Sequence, residues 1–219
     1  AAQAIGARYK GSGLGSVGHL STFSFHETKN LHCGEGGALV VNDAALLERA
    51  EIIREKGTNR KQFMLGLVDK YTWVDVGSSF LPSEIASAFL YAQLLSMEKI
   101  TRARVKLWQS YRDGIKNRSL EIMTPPEYSD HNGHLFFVKT KSAEGRTRLI
   151  QHLRSAGIGA SFHYIPLHSA PYGRKVAKGG SSCPLTEHHA ARLVRLPLYT
   201  GLTIAELDKV LQCVNAFRE

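Results

Sequence analysis

The segment Ser24-Phe25-His26-Glu27-Thr28-Lys29-Asn30, followed by Gly34-Glu35-Gly36-Gly37, carries the strongest chemical signal in the chain. His19 to Phe25 alternates weakly between apolar and polar residues, which predicts a short strand ending near Ser24. A second strand is predicted at Gly37 to Val41, after the turn-like glycines. A hydroxyl at the end of a strand, a lysine a few residues on and a glycine-rich turn can hold a phosphate near an amine. Taken singly, these residues mean little, because most lysines are solvated.

Outward from this segment the pattern is one of mixed strands and helices. Gly11 to Gly18 reads as a glycine-serine loop. Asn42 or Asp43 can cap a helix in which Leu46, Ala50 and Ile53 share a face, with Gly57 as its stop. Residues 58–81 read as irregular, anchored by Tyr71 and Trp73. A helix starts at Pro82-Ser83-Glu84, with Ile85, Ala88, Phe89 and Ala92 on one stripe, and is expected to run with a bend to about Gly114. Further on come a strand core at Leu135 to Val138, a helix over Ser142 to Ala156 ending at Gly157, and a strand at Ala160 to Ile165. A last helix opens on the capping box Thr203 with Glu206. This predicts a partial α/β domain over 1–114 and a small α+β domain over 115–219. The first part shows few strands for a complete α/β domain, and the chain opens on Ala1-Ala2-Gln3-Ala4 without methionine, so it is expected to continue a longer sequence.

Composition narrows the function. Of 219 residues, 28 are Lys or Arg and 19 Asp or Glu, a net charge of +9 that asks for an anionic partner. The basic residues are dispersed and no aromatic ladder runs among them, which argues against nucleic acid and fits a phosphorylated small ligand equally with simple surface solvation. No apolar run approaches the ~20 residues that span a bilayer. Cys33, Cys183 and Cys213 have no C-x-x-C spacing, which argues against a zinc site or a disulfide framework and fits a reducing, cytoplasmic setting.

Several motifs fail on context. Gly13-x-Gly15-x-x-Gly18 matches a dinucleotide fingerprint literally, but leads into a strand where that fingerprint needs a helix. His188-His189 lies on a helix-like stretch without H-E-x-x-H, so it reads as a solvated face and no metal is expected. Neither a P-loop nor a G-x-S-x-G elbow occurs. Pyridoxal 5'-phosphate chemistry needs an anchor for a phosphate and an amine that forms an imine, a pairing that a strand-end hydroxyl, a lysine and a glycine-rich turn can offer but that spacing alone does not assign.

Ser24 to Asn30 followed by Gly34-Glu35-Gly36-Gly37-Ala38 resembles the DegT/DnrJ/EryC1/StrS family of sugar aminotransferases. The likeness extends through Ala1 to Ala7, Arg54 to Arg60, Asp69 to Trp73, Gly77-Ser78-Ser79, His163 to His168 and Leu196 to Tyr199. The resemblance implies a PLP-dependent transferase of type I, aspartate aminotransferase-like. The chain would carry the later part of the large α/β domain and then the small C-terminal α+β domain. It also implies that Lys29 carries the cofactor and moves the proton, that Ser24 binds its phosphate, and that Gln3 bonds the ring 3-oxygen. Ser79 stands where many relatives place an asparagine that reaches the partner subunit's cofactor phosphate. Tyr164 and His168 would lie near the substrate, with basic side chains meeting its diphosphate. The implied reaction moves an amino group from glutamate to the keto group of a dTDP-4-keto-6-deoxyhexose, in a homodimer with shared sites. The family's carboxylate for the pyridinium nitrogen is expected just before Ala1. A few relatives are PLP dehydratases with histidine at the lysine position; Lys29 speaks against that chemistry. A fragment that only binds or associates is the competing class.

Overall fold

The structure is a computed structural model that describes residues 1–177 and 182–219. In chain order the strands are β1 (Arg8–Tyr9), β2 (Ser12–Gly13), β3 (Leu20–Ser24), β4 (Gly37–Val41), β5 (Glu121–Ile122), β6 (Ser129–Asp130), β7 (Phe136–Lys139), β8 (Ser161–Phe162) and β9 (Leu193–Leu196). The helices are α1 (Leu47–Arg54), α2 (Arg60–Met64), α3 (Glu84–Leu95), α4 (Met97–Gly114), α5 (Ala143–Ser155), α6 (Pro171–Val176), α7 (Pro184–Arg192) and α8 (Ile204–Ala216). Two compact units form, Ala1–Thr101 with Glu127–Asn132, and Arg102–Pro126 with Gly133–Glu219. Residue 114, where the sequence pattern changes, ends α4; the division between units falls earlier, within that helix.

In the first unit β3 and β4 pair antiparallel, from Leu20 opposite Val41 to Ser24 opposite Gly37, and residues 25–36 between them carry Lys29. A separate three-stranded sheet runs in the order β2-β1-β6. Asp43, one of two capping candidates, accepts the Ala45 N–H at 3.0 Å and starts a short 3-10 turn that leads into α1. Lys56 and Gly57 then turn left-handed, at φ 65° and 75°. The Gly57 carbonyl accepts N–H groups from Val74 at 2.8 Å and Asp75 at 3.0 Å. A Cβ on Gly77 would fall 2.2 Å from the Gly57 nitrogen, so two backbones touch here. The stretch read as irregular contains the short α2 and is otherwise held by such backbone bonds. Ser83 caps α3 through the Ala86 N–H, and the expected bend falls at Ser96, between α3 and α4.

The second unit holds an antiparallel sheet in the order β5-β7-β9-β8. Phe136, Val138, Val194 and Leu196 point from it into a core completed by Trp108 and Tyr111 of α4, Leu149 and Leu153 of α5, and Val210 and Val214 of α8. Tyr111 stacks on Phe136 at 4.9 Å and donates its hydroxyl to the Pro197 carbonyl at 2.7 Å. Burial, with Tyr199 nearby, raises that phenol's pKa. Arg104 is also buried; it donates to the carbonyls of Gly133 (3.1 Å), His134 (2.8 Å) and Leu198 (3.1 Å). Burial pulls its pKa down to about 10, so it stays charged at neutral pH. The capping box of α8 is formed, with Glu206 N–H to Thr203 Oγ1 at 3.2 Å and Thr203 N–H to Glu206 Oε2 at 2.8 Å.

Two strand expectations shift. The strand expected over Ala160 to Ile165 keeps only Ser161 and Phe162, because β8 is an edge strand paired with two residues of β9 before the chain turns toward Pro166. β9 has no counterpart in the sequence reading: it follows α7 without a connecting residue, so no turn signal announces it.

Gly77→Ala should destabilise the protein by about 2 kcal/mol or more, since backbone rather than a movable side chain meets the new methyl; urea unfolding measures this. Arg104→Lys should lower the unfolding midpoint nearly as far as Arg104→Ala, because one ammonium cannot span three carbonyls. A lysine variant of wild-type stability would contradict that account.

Candidate active site

Lys29 sits on a closed excursion from the end of β3. The Phe25 N–H donates to the Gly36 carbonyl at 2.8 Å, and the Cys33 N–H to the Phe25 carbonyl at 2.9 Å, which shuts the base of the loop. The Lys29 N–H closes a tight turn on the His26 carbonyl at 2.9 Å. Thr28 N–H donates to His26 Nδ1 at 3.1 Å; a backbone N–H only donates, so the neutral ring carries its proton on Nε2. Phe25 (5% exposed) and Leu31 (1%) are buried on either side of the lysine and anchor both ends of the turn. Each such burial stabilises by roughly 1.5–3 kcal/mol.

The glycines have distinct reasons. A Cβ on Gly36 would fall 2.6 Å from Cys33 Sγ, so a side chain there requires the thiol to move. Gly34, at φ 84°, faces open space. Half-buried Ser24 ends β3; its Oγ accepts the His26 N–H at a long 3.4 Å and keeps its own proton to donate. Lys29 is half-buried, and no carboxylate pairs with it among the described residues.

Two asparagines that the sequence reading passed over tie this loop to the Gln3 segment. The Asn30 side chain donates to the Asn132 carbonyl at 2.9 Å. The Asn132 side chain donates to the carbonyls of Gln3 (2.8 Å) and Ile5 (3.0 Å). Both asparagines are buried. The available signals were the position of Asn30 beside Lys29 and the turn dipeptide Asn132-Gly133. Through this network Gln3 and Lys29 belong to one bonded assembly, with the Gln3 side chain exposed. Ser79 lies elsewhere in the unit, exposed, in an isolated bridge to Glu55.

Tyr164 and His168 belong to the second unit. Tyr164 is 70% exposed, with the Arg195 guanidinium 5.5 Å from its ring centroid and the His163 ring at 5.4 Å. His168, on the turn Leu167–Ser169, has Nε2 2.9 Å from Glu187 Oε1. No group of three or more His, Cys, Asp or Glu residues is placed to hold a metal ion among the described residues.

The residues of the first unit fit a phosphate-bearing aldehyde cofactor. A hydroxyl ends β3 and an amine lies on the loop that follows, closed at its base by backbone bonds, with Gly34 of that loop facing open space. When bound, such a cofactor supplies an electron sink for the carbanion formed at a substrate carbon.

Comparison with known proteins identifies the family. A model of the DegT/DnrJ/EryC1/StrS aminotransferase family matches residues 1–215. Uncharacterized protein MJ1066 of Methanocaldococcus jannaschii is 30% identical, over all of this chain and 58% of that protein. The structure of DesV from S. venezuelae, in complex with a ketimine intermediate, is 31% identical with TM-score 0.85, over 98% of this chain and 55% of that one. A DegT DnrJ EryC1 StrS aminotransferase from Brucella abortus is 26% identical with TM-score 0.83, over 97% and 54%. The chain thus spans about half the length of these relatives. With a family model matched along nearly its whole length and the fold shared, the chain belongs to the DegT/DnrJ/EryC1/StrS aminotransferase family, whose members are PLP-dependent.

Proposed function

We propose that the protein is a pyridoxal-phosphate aminotransferase that moves an amino group from glutamate to the 4-keto group of a dTDP-4-keto-6-deoxyhexose. The product would be dTDP-4-amino-4,6-dideoxygalactose, for cell-surface polysaccharide of the enterobacterial common antigen type. The observation that carries the reading is the closed loop placing Lys29 beyond Ser24 at the end of β3.

In this reading Ser24 donates to the cofactor phosphate and Gln3 bonds the ring oxygen. Lys29 holds the cofactor and, once released, moves a proton at Nζ. Ser79 reaches the phosphate held by a partner subunit. Tyr164 and His168 contact the substrate, and an anion reaching His168 Nε2 competes with Glu187. Self-association is supported by α3, apolar on most sides, with Ile85 85% and Leu95 73% exposed. That same surface also favours a second reading, in which the chain alone only associates. A cytoplasmic site of action is proposed with the reaction; no helix among the described residues is long and apolar enough to cross a membrane.

The complete protein, purified with the cofactor, should show the absorption band of lysine-bound cofactor and form 2-oxoglutarate from glutamate when given the keto-sugar nucleotide. Lys29→Ala should lose the band and slow turnover by about 10²–10⁴-fold or more; an unaltered band would sink the assignment. Asn132→Ala, which strips the donor from two carbonyls, should cost about 1–3 kcal/mol of stability. It should also weaken cofactor binding with little change in the band's position, as equilibrium titration with cofactor would show.

A further inference from the structure

Ser24 and Lys29 lie on either side of His26 in the chain, and that residue bonds to both. Its backbone N–H donates to Ser24 Oγ at a long 3.4 Å, and its carbonyl accepts the Lys29 N–H at 2.9 Å. The ring makes a third bond: Nδ1 accepts the Thr28 N–H at 3.1 Å, and the Thr28 hydroxyl lies 2.9 Å from the same nitrogen. Two successive peptide N–H groups, those of Thr28 and Lys29, are thus held by one residue.

An asparagine or aspartate fixes a turn in the same way, its side chain accepting the N–H two residues on. A histidine can do so only as a neutral ring protonated on Nε2, since a protonated ring has two donors and no acceptor. That proton faces a carboxylate, with Nε2 3.5 Å from Glu35 Oε1. The Glu35 side chain is 85% exposed, so its pull is weak; it favours the tautomer rather than adding much strength. Phe25 and Leu31 bury the ends of the turn, and the His26 bonds fix what lies between them. A cofactor that carries its phosphate arm and its aldehyde on one rigid ring needs the hydroxyl and the amine at a set separation, held to roughly 0.5 Å.

We propose that His26 is a positioning residue of this site: its neutral ring, with the Nε2 proton directed at Glu35, sets the turn that holds the Lys29 amine in register with Ser24. The inference rests on the pyridoxal-phosphate reading of Lys29 and Ser24, and gives His26 and Glu35 roles which that reading does not use.

The test is calorimetric titration of the complete protein, stripped of cofactor, with pyridoxal 5'-phosphate. His26→Leu should weaken binding ~3–10-fold, the loss expected for one ordinary hydrogen bond. His26→Asn keeps an acceptor at the Nδ1 position and should restore nearly wild-type affinity. His26→Gln places its polar atoms one bond further out and should not. In a Lys29→Ala background His26→Leu should lose most of its effect, because no amine remains to be aligned. Wild-type affinity in both the leucine and glutamine variants would overturn the proposal. So would an asparagine variant binding no better than the leucine one, or an effect of full size in the Lys29→Ala background. If the leucine variant does not fold, the contrast between asparagine and glutamine carries the test. The ¹⁵N shifts of the neutral His26 ring should show a bare Nδ1 and a protonated Nε2, and the opposite tautomer would refute the assignment. Each of these failures leaves the cofactor reading standing as long as the wild-type protein shows the lysine-bound band. A wild-type protein without that band would sink the cofactor reading, and this proposal with it.

Discussion

The Asn132 side chain, donating at once to the carbonyls of Gln3 and Ile5, is the bond on which the candidate site depends. The same amino-terminal segment is also held by backbone bonds, since β1 pairs with β2 and β6 and the Leu14 N–H donates to the Ala7 carbonyl at 2.9 Å. Position in this segment is set by hydrogen bonds to backbone, which are directional where apolar contact is not. The Asn132 carbonyl then takes the Asn30 amide, so one residue holds both the Gln3 segment and the lysine loop. Directly after it, the Gly133 carbonyl accepts from Arg104 in the second unit's own network. Adjacent residues thus serve two separate bonding systems.

The units differ in what holds them. The second has a continuous core of aromatic and aliphatic side chains from α4, α5, α8 and the sheet. Losing one methylene there is a packing matter of about 1 kcal/mol. The first relies on close backbone approaches, as at Gly57 and Gly77, where no side chain fits. Local precision at Lys29 comes from the same source, since Phe25 and Leu31 clamp the loop while backbone bonds close its base.

This difference explains what was legible in the sequence. Helix α8 announced itself through Thr203, Glu206 and an apolar stripe, because both signals are local. β3 and β4 were visible for the same reason, whereas Ser24 and Lys29 were singled out by the resemblance of their motif to a family and not by spacing alone. β9 was not legible: Arg192 and Leu193 join helix to strand with no glycine or proline between them, and only pairing with β7 and β8 decides the outcome. Asn132 and Arg195 were missed because their partners lie far along the chain, at Gln3 and Ile5 for one and at Phe162 and Tyr164 for the other. Sequence periodicity reports which face is buried; it says nothing about which distant carbonyl a side chain meets.

The positive charge of the chain shows the limit of composition as a guide. A surplus of +9 suggested an anionic ligand without saying where. Arg104 adds to that surplus, yet it is buried against three carbonyls and has no reach to any ligand. Arg112 and Arg60 spend theirs on the neighbouring carboxylates of Asp113 and Glu55. Arg195 differs in kind, because one backbone carbonyl and one aromatic face orient it while its charge goes unmatched by any carboxylate among the described residues. An oriented, unmatched cation costs little extra to reorganise when an anion arrives, and preorganisation rather than net charge raises affinity. The meaningful quantity is therefore the number of cations held in place without a counter-charge.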